Sequence, residues 1–158
     1  YELSNDTGYW KFESADIFVD YTEFTKLIDD MDQPPRKEQI EILIAMIRNG
    51  NLLPEGEYRW LDTFKSYVAD VVVEKLWDYA STLAIEKSPE MAIELADMIF
   101  GFEHINEQAL YLKCKAYNVS GRHSSAKREY DRFRDEYEAV YGEVFRYSFT
   151  ELLDKTDW

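Results

Sequence analysis

Residues 76–109 read LWDYASTLAIEKSPEMAIELADMIFGFEHINEQA, and residues 110–133 read LYLKCKAYNVSGRHSSAKREYDRF. Laid one over the other, they place like residues at like positions. Leu76, Ala80, Leu83, Ala92, Ala96 and Ile99 answer to Leu110, Cys114, Tyr117, Ala126, Tyr130 and Phe133, every pair 34 residues apart. A repeat of that length suits two helices joined by a turn, a unit that hides its apolar side only by stacking on a neighbour. Ala80, Cys114, Ala92 and Ala126 are small where two helices must approach closely, and the bulky residues fill the gaps between them. The stretch predicts an all-α stack.

Punctuation around the repeat fits helices. Ser88-Pro89 is a cap followed by proline at the first helical position. The helix it opens carries Ala92, Ala96 and Ile99 and is expected to stop at Gly101. Asn106 is expected to cap the next, ending at Gly121. Ser124 is expected to cap the one after, running through Tyr130, Phe133 and Tyr137 to Gly142. Ser148-Phe149-Thr150-Glu151 is a capping box opening a short helix with Leu152 and Leu153, suited to closing the end of a stack.

Upstream, no Gly or Pro interrupts residues 57–88. Trp60, Phe64, Tyr67, Val68, Val71 and Leu76 keep roughly helical spacing there, predicting one long helix, or two nearly collinear ones, ending near Glu86. Leu52-Leu53-Pro54 and Gly56 lead into it. Before them, Ile40, Leu43, Ile44 and Ile47 form a helical stripe between Pro34-Pro35 and Asn49-Gly50. Ile42 and Met46 widen its apolar surface and predict cover on more than one side. Asp20 opens an earlier helix, with Glu23 completing a capping box and Val19 packing on Phe24 across it. Leu27 and Ile28 continue that stripe, and Asp29, Asp30 and Asp32 oppose the helix dipole and predict an early stop. Leu3 to Phe12 read as a small N-terminal β-hairpin turning at Asn5-Asp6-Thr7-Gly8. A lone hairpin is marginal in water, so it needs something to pack on, expected upstream of Tyr1. The chain, which begins mid-pattern, is expected to be a piece of a longer protein.

At 158 residues the chain suits one domain, and with 46% hydrophobic and 16% aromatic residues it can bury a core. Six glycines and four prolines favour long helices over a turn-rich β fold. The net charge of −14 repels phosphate backbones and anionic membranes, so this segment is not expected to grip nucleic acid itself or a membrane. Cys114 is the single cysteine, which rules out an internal disulfide and is consistent with a reducing compartment. With no signal peptide and no membrane-length apolar run to be read, a cytoplasmic location is expected.

A set of motifs in order resembles the bacterial transcriptional activation domain, the tetratricopeptide-like helical domain that follows the DNA-binding domain in regulators of the antibiotic regulatory protein (SARP) class. Val19-Asp20 with Phe24 resembles the family's first helix. Gly50-Asn51-Leu52-Leu53-Pro54 followed by Trp60 is similar to its Gly-x-Leu-Leu-Pro … Trp segment. Ala92 to Ala96, Glu107, Tyr117, Gly121-Arg122, Ala126 and Tyr130 resemble its repeat region, and Phe149 to Leu153 its closing helix. Gly8-Tyr9-Trp10-Lys11-Phe12 resembles the last hairpin of a winged-helix domain, of the kind found in response regulators of two-component signalling. The resemblance covers roughly residues 8–153 and rests on the order and spacing of its motifs together. Lys87 departs from it, standing where a first repeat often carries Gly, and no winged-helix recognition helix is present.

The resemblance implies a right-handed tetratricopeptide-like stack over residues 17–158, with residues 1–16 as a hairpin, the last piece of an upstream winged-helix domain. It implies a non-enzymatic regulatory and protein-interaction domain of a bacterial transcription regulator. Such a domain would self-associate, bind a protein partner or sense a small-molecule effector. DNA would be met only through a domain outside this chain. The alternative is a peptide-binding tetratricopeptide adaptor unrelated to transcription.

Chemistry is sparse. His104 and His123 lie 19 apart near predicted turns, and with Cys114 they do not make a zinc ligand set, so no metal is expected. Cys114 falls where the repeat wants a small buried residue. Carboxylate pairs such as Asp29-Asp30 and Asp135-Glu136 arise by chance among 32 acidic residues, and no Gly-rich phosphate loop is present. No catalytic residue and no cofactor are expected. Asn118-Val119-Ser120 matches a glycosylation acceptor but reads as a helix end. In repeats of this kind the first helix of each pair lines the concave face, and between its core positions lie Trp77, Ser81, Tyr111, Lys115 and Asn118. A groove with those walls could hold a peptide or small ligand, or the protein's own helices close it.

Overall fold

The computed structural model describes residues 3–4, 11–12, 20–49 and 59–155, with the backbone alone described at 3, 4, 11, 12, 20 and 59–61. Among the described residues the chain is all-α, with seven helices: α1 (Asp20–Asp29), α2 (Lys37–Arg48), α3 (Arg59–Ala80), α4 (Pro89–Phe102), α5 (Glu107–Val119), α6 (His123–Tyr141) and α7 (Phe149–Asp154). Two short strands, β1 (Leu3–Ser4) and β2 (Lys11–Phe12), pair antiparallel with Leu3 opposite Phe12. The expected turn at residues 5–8, the Val19 staple and the segment from Gly50 to Gly56 lie outside the described residues. Each of α1 to α6 packs on its neighbour in sequence, and α7 returns to α5.

Two apolar clusters share one helix. The first gathers Phe24, Met31, Ile40, Leu43, Ile44, Val72, Leu76, Ala92, Leu95 and Ile99, and takes Ala109, Leu112 and Ala116 from α5. The second gathers Ala126, Tyr130, Phe133, Phe145 and Leu152, and takes Leu110 and Cys114 from α5. The six pairs set 34 residues apart match in burial: five are buried in both copies, and Leu83 and Tyr117 are both half-buried. Full burial of a leucine contributes about 1.5–3 kcal/mol, which is why the repeat concentrates such residues where helices meet.

Local chemistry sets the helix ends. The acidic run stops α1 at Asp29 as expected. The link to α2 is held by one side chain. Gln39 Nε2 donates to Asp30 O at 3.0 Å, while its Oε1 accepts from Asp32 N–H at 3.3 Å and Arg36 N–H at 3.0 Å. Asn106 Oδ1 caps α5 through Ala109 N–H at 2.9 Å. At its other end Arg122 N–H reaches Tyr117 O and Gly121 N–H reaches Asn118 O, with Gly121 at φ 73°. That paired closure needs a left-handed residue, hence glycine. Gly142 ends α6 with the same left-handed backbone, at φ 69°, its N–H donating to Glu138 O in a single closing bond. Ser148 and Glu151 form the expected capping box on α7, Ser148 N–H donating to Glu151 Oε2 at 2.8 Å.

Several boundaries differ from expectation. α3 ends at Ala80 rather than near Glu86. Ser81 and Thr82 hydroxyls bond back to Asp78 O and Tyr79 O, and the chain turns so that Leu83 and Ile85 reach the first cluster. α4 runs through Gly101 to Phe102, whose ring packs on the same cluster. Ser88 holds the cap position of α4, but its side chain makes no cap bond, leaving the start to Pro89. Ser124 lies inside α6, which already begins at His123. Ile42 is 52% exposed, so the wider face of α2 is not covered there.

Replacing Leu76 or Leu110 with Ala, one from each copy of the repeat and both fully buried, is expected to cost about 2–5 kcal/mol each in denaturant unfolding. Ile42→Ala is expected to cost less than about 0.5 kcal/mol.

Candidate interaction site

The five predicted groove residues fall on α3, the turn after it, and α5. Trp77 is half-buried against the first cluster and Tyr111 half-buried against the second. Burial, then the charge of Glu86, raises the Tyr111 phenol above its ordinary value. The three polar members are engaged within the fold. Ser81 Oγ donates to Asp78 O at 2.8 Å, Lys115 Nζ donates to Leu153 O at 2.9 Å, and Asn118 Oδ1 meets His123 Nδ1 at 2.7 Å. Lys115 is thus held by the last turn of α7.

A charge centre the sequence reading did not single out ties three helices together. Lys113 on α5 is 7% exposed. Its Nζ lies 2.7 Å from Asp97 Oδ1 on α4 and 3.2 Å from Glu129 Oε2 on α6, and Glu129 also takes Arg132 at 2.7 Å. Burial lowers the Lys113 pKa, but the bonds and charges of Asp97 and Glu129 outweigh it and leave it above its ordinary value. Burial raises the Glu129 pKa, but Lys113 and then Arg132 outweigh it and leave it below. Both groups are driven away from neutrality, the opposite of what acid–base catalysis needs. The only sequence signal was a lysine set between the buried Leu112 and Cys114.

Cys114 beside it donates from Sγ to Ala126 O at 3.4 Å. Burial, then the charge of Glu129, pushes its thiol up to about 12. It is therefore a packing residue with almost no thiolate at neutral pH.

The outer surface of α6 divides by charge. Between Arg122 and Arg134 stand five Lys and Arg residues and two carboxylates, in a chain of net −14. A shallow open depression of about 750 Å³ lies here, lined by His123, Lys127, Arg128, Asp131, Arg132 and Phe149 among others. The Lys127 ammonium stands 5.3 Å from the Tyr130 ring centre and 5.9 Å from that of Phe149, and it pairs with Asp131. Beyond Arg134 the sequence DEYEAVYGEV carries four carboxylates and no Lys or Arg. Val140 is 56%, Tyr141 57% and Val144 73% exposed there.

His104 Nε2 lies 3.9 Å from Glu136 Oε1, and His123 is the partner of Asn118. Among the described residues no three His, Cys, Asp or Glu side chains group as a metal site, and no helix is long and apolar enough to cross a membrane. No family model, curated protein or solved structure matches the chain.

Two outcomes follow from the centre at α5. Lys113→Met keeps the apolar stem and removes the charge, and is expected to cost roughly 1–3 kcal/mol at pH 7. The Glu129 pKa is lowered on folding, so its contribution is present above its ordinary 4.5 and lost as pH falls through the folded value. The Lys113 pKa is raised, so its contribution is full below its ordinary 10.5 and lost as pH rises through the folded value. Urea titrations across pH should show the variant's deficit flat between those limits and shrinking outside them. Cys114 should stay silent to an aromatic disulfide reagent at pH 8 in the native protein and react fully in denaturant, read by absorbance.

Proposed function

We propose that this chain is the regulatory and protein-interaction domain of a bacterial transcription regulator, a right-handed tetratricopeptide-like stack that controls a winged-helix DNA-binding domain upstream. The observation that carries this reading is the shared burial of the six residue pairs 34 apart, five of them helix for helix. The resemblance of the ordered motifs to the bacterial transcriptional activation domain supplies the role. In this reading β1 and β2 are the last hairpin of the winged-helix domain, and Leu3 opposite Phe12 fits that. Packed helices are stiff, so a partner or effector held against the stack would shift the N-terminal hairpin as a body.

The bond from Lys115 to Leu153 O favours this over the peptide adaptor. An adaptor needs an open groove, and a principal cation of the predicted one is already committed to α7. No catalytic residue, cofactor or metal enters the proposal, and DNA is met only by the domain outside this chain.

The test is to express the full-length parent with and without this segment and to measure sequence-dependent duplex binding and reporter output. Removal is expected to change output at the target promoter by at least several-fold. Identical DNA affinity and identical output would refute the regulatory role.

A further inference from the structure

We propose that α6 is a self-recognition helix, through which two copies of this chain pair antiparallel about a two-fold axis. The proposal goes beyond the regulatory reading and does not rest on it.

The first observation is that the charges of α6 run against its dipole. A helix is stabilised by acidic residues in its first turn and basic ones in its last. α6 has neither. Its cations, Lys127, Arg128, Arg132 and Arg134, all precede the last turn, and three of its five carboxylates, Asp135, Glu136 and Glu138, follow them. That order works against the helix and needs another reason.

The second observation is the pattern along one face. His123, Lys127, Asp131, Arg134, Glu138 and Tyr141 follow one another at spacings of 4, 4, 3, 4 and 3, which keeps them in one stripe. His123, Lys127, Glu138 and Tyr141 are exposed, and Asp131 and Arg134 are partly so. The stripe is its own complement when reversed. Within one chain Asp131 already pairs with Lys127 and with Arg134 at 3.2 Å, and Arg134 with Asp135 at 2.7 Å. In the pair of chains Lys127 adds the partner's Glu138, Asp131 adds the partner's Arg134, and His123 meets the partner's Tyr141. The two charged pairs are centred between Arg132 and Phe133, and the pair of His123 with the partner's Tyr141 on Arg132. A parallel arrangement would instead set each charge against its like. An interface of two-fold symmetry requires this kind of self-complementary surface.

The third observation is what the single chain leaves unsatisfied. Arg128 makes only a 3.5 Å approach to Ser125 Oγ. Glu138 meets no cation among the described residues, and Tyr141 stands exposed one turn beyond it on the same stripe. A polyanion such as nucleic acid would gain from the basic half and be repelled by the acidic half and by the net −14. A second copy answers both halves.

Two bodies of charge −14 also repel. That repulsion is long-ranged and is screened beyond about 8–10 Å near 0.1 M salt, whereas ion pairs in contact survive. Association is therefore weak, and strongest at intermediate salt.

Sedimentation equilibrium of the chain at about 0.1 M salt, up to roughly 1 mM protein, should give a monomer–dimer equilibrium. Lys127→Glu and Glu138→Lys are each expected to weaken it roughly tenfold, since each disrupts two symmetric pairs. Both substitutions favour the dipole of α6, but Lys127→Glu also breaks the chain's own pair with Asp131, so helix content is followed by circular dichroism beside association. An equimolar mixture of the two variant chains should associate to within about threefold of the unaltered chain, because every cross pair is then opposite in sign while the total charge of the dimer is unchanged. A monomer at every concentration would overturn the proposal. So would a dimer indifferent to both substitutions, or weakened variants that fail to complement when mixed.

Discussion

Helix α5 is buried from two sides, and the rest of the molecule is arranged to make that happen. Ala109, Leu112 and Ala116 enter one apolar cluster and Leu110 and Cys114 the other. A helix of 13 residues is marginal alone, so α5 is helical because it is packed. Its apolar positions do not form a single stripe. They form two, and each needs a cover of its own. Helices α1 to α4 provide the first and α6 with α7 the second. Neither half is complete without the shared helix, so stripping α6 away would leave Leu110 and Cys114 in water and weaken the whole stack.

The charge on Lys113 restrains what apolar packing leaves loose. Leucines and alanines tolerate a helix that slides or rotates a little; an ammonium held between Asp97 and Glu129 does not. A shift of α5 by one turn, about 5.4 Å, would break both pairs. Buried ion pairs are weak evidence for net stability, since desolvation offsets much of the attraction. Here the pair sets register: it names the one position in which α4, α5 and α6 all agree.

The repeat was legible because it depends on side-chain kind at fixed spacing. Leu76 and Leu110, or Ala92 and Ala126, could be matched without coordinates. Glycine ends were legible where the backbone must turn left-handed, as at Gly121 and Gly142, and misleading where it need not, as at Gly101. The end of α3 was hidden because Ser81 and Thr82 stop the helix by bonding backward, and no Gly or Pro announces it. The cap of α6 reads from the sequence as Ser124 because a serine near a helix start is a good cap in general, while the turn after α5 delivers the chain two residues early, with Arg122 at the cap position. Of the predicted groove, the positions could be read but the partners could not. That Lys115 meets Leu153 O spans 38 residues and depends on where α7 lands. Lys113 was overlooked for the same reason, because its two carboxylates come from other helices.

The amide of Gln39 has a mechanical consequence. One side chain, fixed in α2, grips the backbone at Asp30, Asp32 and Arg36. The connecting loop therefore cannot act as a hinge, because its two ends are tied to the same anchor. A tug arriving at the start of α1 is passed to α2 with little slack, and from there into α3 and the apolar interior. Helix α1 behaves as a lever bolted to the stack, not as a tether hanging from it.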